Sequence, residues 1–225
     1  MCGRYTHKLT WRQIHDLYEL TSNEPPEGWR ERFNLAPSQD ALVIRLDAEG
    51  AREAVMLKWG LVPFWAEEPK TGYSTINARA ETVATKRAFR SAFKTRRCIV
   101  PASGFYEWRA EPGSKGKQPY HITRVDGEPM SFAGLWEHWQ KGDAPAVRTF
   151  TTIVGDAHPD VAPIHDRCPI ILERKQFKPW LDPRTSPAEA TAMLLCYAGR
   201  LNVEAVSKAV SNARNDYPEL VAPLG

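Results

Sequence analysis

The sequence predicts an α+β fold: one domain over residues 1–225, with a mostly antiparallel, barrel-like β core and flanking helices. Three observations predict it. Short apolar segments of strand length recur along the chain without the regular strand–helix–strand alternation of a parallel sheet. Proline is abundant, at 18 residues, which interrupts helices and multiplies loops. The hydrophobic share is 42%, with eight tryptophans, enough to build a sizeable core and to exclude a disordered chain.

The elements follow in order. Thr10, with Gln13 three residues later, is a capping-box signature, and Trp11, Ile14, Leu17 and Tyr18 then supply an apolar helical face. Residues 41–46 (ALVIRL) and 53–59 (EAVMLKW) are strands around a Glu49-Gly50 turn. A helix is expected over 82–94, with Phe89 and Phe93 inward and its Lys and Arg outward. Strands are expected at 97–100, 104–108, 119–124 (turning at Asp126-Gly127), 131–136, 148–154 and 169–172, and helices near 174–181 and 186–195. Glu24 to Gly28 and Glu111 to Lys117 have loop composition.

Composition bounds function. The N-terminus MCGRYTHKLTW has no basic-then-apolar run, so a signal peptide is not expected. No apolar stretch approaches the ~18 residues of a membrane span. Cys2, Cys98, Cys168 and Cys196 are widely spaced without a C-x-x-C pair, which suits reduced thiols in a cytoplasm. His158, His165 and Cys168 lie near one another but not at a zinc spacing, so no metal is expected. The net charge is only +3, yet Arg79 to Arg97 holds seven basic residues (Arg79, Lys86, Arg87, Arg90, Lys94, Arg96, Arg97) against the single acid Glu81. Such a stripe is either a polyanion footprint or a solvated helix face.

Cys2 is the sharpest chemical feature. A small second residue normally allows removal of Met1, leaving a free 1,2-aminothiol. An α-amine has a reference pKa of about 7.7–8.0, so roughly a tenth of it is neutral near pH 7, against a few parts in ten thousand of a lysine amine near 10.4. The amine can therefore form an imine with an aldehyde, and the adjacent thiol can close a five-membered thiazolidine ring. Gly3 lets the backbone approach a ligand closely, and Arg4 sets a permanent cation beside the nucleophile.

Met1-Cys2-Gly3-Arg4-Tyr5, RFNLAPSQ (32–39), WGLVPFW (59–65), INARAET (76–82), CIVPASGFYEW (98–108), FAGLWE (132–137), IHDRCP (164–169) and VSKAVSNAR (206–214) occur in that order. The series resembles the SRAP family, named for "SOS response-associated peptidase", whose members sense abasic sites in DNA. The resemblance implies that Cys2 is the nucleophile toward the ring-opened sugar aldehyde. It implies that Asn77 positions the Cys2 amine, that Glu107 is the carboxylate beside that amine, and that His165 assists opening of the sugar ring. The residue types suit these tasks, because a hemiacetal needs a proton shuttle to open and imine formation needs a proton removed and later returned. Arg4, Arg79, Arg87 and Arg167 match positions that bind phosphates, and Trp65 would stack on a base or wedge beside the lesion. Arg90, Lys94, Arg96 and Arg97 are placed outside that contact shell.

The resemblance thus implies an abasic-site processing protein that forms a thiazolidine crosslink with single-stranded DNA, with self-removal of Met1 as a further activity. No cofactor, metal or membrane is implied. A cytoplasmic monomer, on the nucleoid when DNA-bound, is expected. Two other classes fit parts of the pattern. One is an N-terminal-nucleophile amidohydrolase using Cys2, against which the Arg-rich setting of Asn77 argues. The other is a non-catalytic single-stranded DNA-binding module, whose binding would survive loss of Cys2.

Overall fold

A computed structural model describes residues 2–70, 73–111, 113 and 116–224, with the backbone alone at Tyr73. Met1 and the centre of the expected 111–117 loop (Pro112, Ser114, Lys115) lie outside them. Two sheets carry the fold. The first orders its strands β12 (Leu201–Ala205), β8 (Lys117–Arg124), β7 (Gly104–Ala110), β1 (Tyr5–His7) and β2 (Arg32–Leu35), all antiparallel. The second runs β11 (Arg167–Pro169), β10 (Val147–Asp156), β4 (Arg52–Trp59), β3 (Asp40–Leu46), β6 (Arg97–Ala102) and β9 (Met130–Trp139). In it β9 also pairs with β10, which closes a ring. The seventh strand, β5 (Asn77–Arg79), lies parallel to β10, as does β4; the other pairings are antiparallel. The expected α+β class with a mostly antiparallel, barrel-like core is what the chain adopts.

Local chemistry sets the elements. The β3–β4 ladder runs from Asp40 opposite Lys58 to Leu46 opposite Arg52, and Gly50 turns it at φ +84°. Helix α1 (Trp11–Tyr18) starts at the expected capping box: Gln13 N donates to Thr10 Oγ1 (3.3 Å) and Thr10 N to Gln13 Oε1 (2.9 Å). Ile14 and Tyr18 seat it on a core that includes Phe89, Phe93, Phe177 and Trp180. A second core between the sheets gathers Tyr5, Trp59, Phe105, Phe132 and Phe150.

Two expectations are corrected. The helix over 82–94 shrinks to α2 (Arg90–Thr95), and residues 80–89 form successive turns. Thr82, Val83 and Thr85 are β-branched, and the Thr85 hydroxyl donates to Thr82 O (3.2 Å) in competition with the helical pattern. Strand 169–172 ends at Pro169, leaving Ile171 an isolated bridge to Phe132. The helices near 174–181 and 186–195 are α3 (Phe177–Leu181), preceded by a 3₁₀ turn over Arg174–Gln176, and α4 (Pro187–Ala192).

Arg97 departs from both readings of the basic stripe. It is buried, and its guanidinium donates to the carbonyls of Phe93, Lys94, Trp180, Asp182 and Thr185 at 2.5–3.2 Å. Four of these lie at or just past the ends of α2 and α3, where carbonyls lack helical partners. The charge that looks like surface in the sequence is a structural cap.

Candidate active site

The four residues singled out for chemistry converge. Strand β1 pairs with β7 through Tyr5 opposite Phe105, and Tyr106 N donates to Arg4 O (3.0 Å). That register, continued, sets Gly3 across from Glu107 and draws the chain start over the sheet. Cys2 is buried at 3% exposure. Its carbonyl accepts from Asn77 Nδ2 (2.9 Å), and its thiol lies 3.5 Å from Arg167 O. Asn77 is held in turn by Thr152, whose hydroxyl donates to Asn77 Oδ1 (2.6 Å). This fixes which end of the amide faces Cys2. Asn77 and Thr152 are cross-strand partners in the parallel β5–β10 pair.

Glu107 is also buried, at 3% exposure, and its Oε1 has no hydrogen-bond partner among the described residues. Burial pushes its carboxyl above the usual carboxylate range, opposed by hydrogen bonding to the Cys2 thiol and by nearby His165. The Cys2 thiol is itself raised well above the ordinary value, first by burial and then by Glu107. His165 Nε2 lies 3.9 Å from Glu107 Oε2. Arg167 N donates to His165 Nδ1 (3.0 Å), and the same ring nitrogen lies 3.2 Å from Arg167 O. Arg167 thus touches the thiol with its carbonyl and orients the imidazole with its amide.

Asn77 also lines a cleft of about 810 Å³, together with Ser74, Arg79, Thr82, Lys86 and Arg167. Arg79 is exposed on it. The Arg167 side chain is ion-paired to Glu81 and lies 3.4 Å from Asp156. The other residues singled out for DNA are placed elsewhere. Arg87 lies 4.2 Å over the ring of Trp65, which is 40% exposed beside Phe64. Neither residue lines the cleft. Arg4 reaches across the sheet edge to Asn34 Oδ1 (2.8 Å), Val210 O (2.7 Å) and Ser211 O (3.2 Å), tying β1 to the C-terminal segment.

Sequence reasoning missed Thr152 and the two carboxylates that hold Arg167. A threonine in a strand carries no signal of its own, and Glu81 registered only as the exception in a basic stretch. Among the described residues no group of three or more His, Cys, Asp or Glu converges as a metal site, and no helix is long and apolar enough to cross a membrane. His158 and Cys168 are engaged locally: His158 N donates to Cys168 Sγ (3.4 Å) and Asp160 N to His158 Nδ1 (3.1 Å). All four cysteines are free.

Comparison with known proteins shows the family. The family model for SOS response associated peptidase (SRAP) matches residues 1–213. The abasic site processing protein YoaM of Bacillus subtilis is 38% identical over 223 residues, covering 98% of this chain and 97% of the relative. The abasic site processing protein HMCES of Gallus gallus is 32% identical over 265 residues, covering all of this chain and 78% of the relative. A crystal structure of a Bacteroides thetaiotaomicron protein superposes with a TM-score of 0.85 over 99% of this chain and 100% of its own, at 24% identity. One from Bordetella bronchiseptica superposes at 0.78 over 92% of this chain and 100% of its own, at 26% identity. With the match running through every motif of the site, the chain belongs to the SRAP family.

Proposed function

We propose that this protein, with residues 1–225 acting as one SRAP-like domain, captures abasic sites in single-stranded DNA. It does so through a covalent thiazolidine on Cys2, formed once Met1 has been removed. The observation that carries the reading is the meeting of Cys2, Asn77, Glu107 and His165 beside a cleft with arginines on its wall. That relatives on either side of the bacterial–vertebrate divide, YoaM and HMCES, are abasic site processing proteins supports the choice of substrate.

The geometry supports the following reaction. A strand phosphate held by Arg79 or Arg167 brings the lesion to Asn77. His165 delivers a proton to the ring oxygen as the C1–O bond breaks and takes back the proton of the C1 hydroxyl, exposing the C1 aldehyde. Glu107 takes a proton from the α-ammonium, and the freed amine adds to the aldehyde carbon. Glu107 then returns that proton to the hydroxyl, which leaves as water and gives an iminium. The Cys2 sulfur adds to the same carbon while its proton passes to Glu107. One C–N and one C–S bond form, one water is lost, and nothing is oxidised or reduced. A carboxylate buried beside a thiol suits both proton transfers, because burial brings its affinity for protons toward the working pH.

Separating the amine from the thiol tests this. Cys2→Ser keeps the amine, so an imine with an abasic oligonucleotide should be trapped by borohydride, while no stable unreduced crosslink accumulates. An uncleaved N-terminal tag keeps the thiol but turns the amine into an amide, so neither product should form on a denaturing gel. A tagged protein that crosslinked at the wild-type rate would show that another nucleophile carries the reaction.

A further inference from the structure

The Arg167 guanidinium lines the cleft, yet an acid already occupies it. Nη1 is hydrogen-bonded to Glu81 Oε1, and Asp156 Oδ1 stands 3.4 Å away. Glu81 is the single acid among the seven basic residues between Arg79 and Arg97. It lies two residues past the end of β5, between the cleft-lining residues Arg79 and Thr82. Of the two acids, Asp156 is 90% exposed and screened by solvent, whereas the Glu81 side chain is 48% exposed and makes the charge-assisted bond. Its own backbone N–H and Arg167 hold Glu81 below the usual carboxylate range, so it is ionised throughout the working pH. A carboxylate on a guanidinium makes the same kind of contact that a phosphodiester oxygen makes.

We infer that Glu81 is a built-in competitor for DNA phosphate: it pairs with Arg167 on the cleft wall and is displaced when a strand phosphate takes the same guanidinium. The inference rests on the phosphate-binding reading of the cleft given above. The exchange takes place at the tip of the side chain. The backbone of Arg167, which touches the Cys2 thiol and orients His165, stays in its strand pairing with Asp156. The consequence is selectivity by chemistry rather than by grip. Undamaged strand, which offers phosphates but no aldehyde, meets a site whose cation is already satisfied, and leaves quickly. Strand carrying the lesion is retained by the covalent bond, for which a weaker hold costs little.

A double-mutant cycle tests the coupling. Binding of an undamaged single-stranded oligonucleotide is measured by fluorescence anisotropy across a salt series for wild type, Glu81→Gln, Arg167→Ala and the double variant. Exposed ion pairs are worth roughly 0.2–1 kcal/mol, so Glu81→Gln should tighten binding about 1.4- to 5-fold with Arg167 present. The gain should shrink toward none in the Arg167→Ala background, where there is no guanidinium to release. The log–log salt slope should match wild type in Glu81→Gln and become shallower by about 0.7 in Arg167→Ala, one phosphate contact on a single strand. An equal gain in both backgrounds would overturn the inference, leaving Glu81 a bulk charge, and so would weaker binding by Glu81→Gln, which would make it a support for Arg167. If Arg167→Ala changes neither affinity nor slope, the phosphate reading of the cleft falls as well.

Discussion

Two histidines outside the site govern how the fold responds to acid. His7 on β1 and His121 on β8 are buried at 2% and 3% exposure. Burial lowers His7 to about 4, with the nearby Arg32 charge adding to the effect. Burial lowers His121 to about 3, with Lys8 adding to it. Both fall from an unfolded value of about 6.5. The unfolded chain therefore binds more protons than the native one below pH 6.5, and stability falls as pH falls. Each pKa unit is worth about 1.36 kcal/mol, so the two together should remove roughly 4 kcal/mol between pH 7 and pH 5. The loss continues to about pH 4 for His7 and about pH 3 for His121. Glu107 acts in the opposite sense, because its raised carboxyl takes up a proton in the native state first, and it offsets part of the loss. Against a typical total of roughly 5–15 kcal/mol, the net change is large.

Urea unfolding followed by tryptophan fluorescence at pH 7, 6 and 5 measures this directly. The expected result is a midpoint that falls steadily, with the slope about halved in a His121→Gln variant that remains folded. Because His121 Nε2 lies 3.1 Å from Thr6 Oγ1 on the strand that leads from Cys2, crosslinking lost at pH 4 should return on a jump back to pH 7. Equal midpoints at pH 7 and pH 5 would refute the reasoning, since two buried neutral imidazoles cannot leave the unfolding equilibrium indifferent to protons.

Further outcomes follow from the site. Arg79→Ala should, like Arg167→Ala, make the salt dependence of single-strand binding shallower by about 0.7 in log–log slope, and an unchanged slope would return Arg79 to ordinary solvated surface. Glu107→Gln and His165→Ala should each slow crosslinking on the order of 100-fold with little change in noncovalent affinity, as single-turnover gels and anisotropy would show; equal losses in both would make them binding or structural groups. Thr152→Val removes the 2.6 Å bond that orients the Asn77 amide. It should slow crosslinking by roughly five-fold, the equivalent of a net hydrogen bond of about 1 kcal/mol, with the melting transition still cooperative.

How far the sequence reached depended on what kind of interaction each residue makes. The capping box at Thr10 and the Gly50 turn are local, so their residues alone announce them. The strands of three to five residues, β1, β2, β5 and β12, passed unseen because none can show periodicity at that length, and each exists through a distant partner. For β5, that partner is β10, 75 residues along the chain in the Asn77–Thr152 pair. Cys2 stands out by the chemistry of an N-terminal aminothiol, whereas Asn77, Glu107 and His165 emerge only through ordered motifs, since an Asn or a Glu in isolation is an ordinary turn or edge residue. The structure adds what the motifs lack, namely that Asn77 reaches the Cys2 carbonyl and that Arg167 orients His165. Charge was the least legible property. Arg97 looks the same in the sequence as Arg79, yet one caps helix carbonyls inside the protein and the other faces the cleft.

The state of the Cys2 thiol bears on which nucleophile acts first. Cysteines that attack amides do so as thiolates, and the surroundings that activate them lower the thiol pKa by adjacent cations or helix N-termini. Here the thiol is buried, faces a carboxylate and a backbone carbonyl, and is raised rather than lowered. An amidohydrolase built on this cysteine would have to begin with the group that its surroundings most suppress. An aminothiol reaction does not. Its first bond is made by the amine, which needs only a base. In the proposed sequence the thiol enters second, when the iminium carbon is already electrophilic and Glu107 has given up its proton and can accept another. In the proposed reaction, the same burial that would disable a thiolate enzyme keeps the sulfur protonated until that carbon is presented to it.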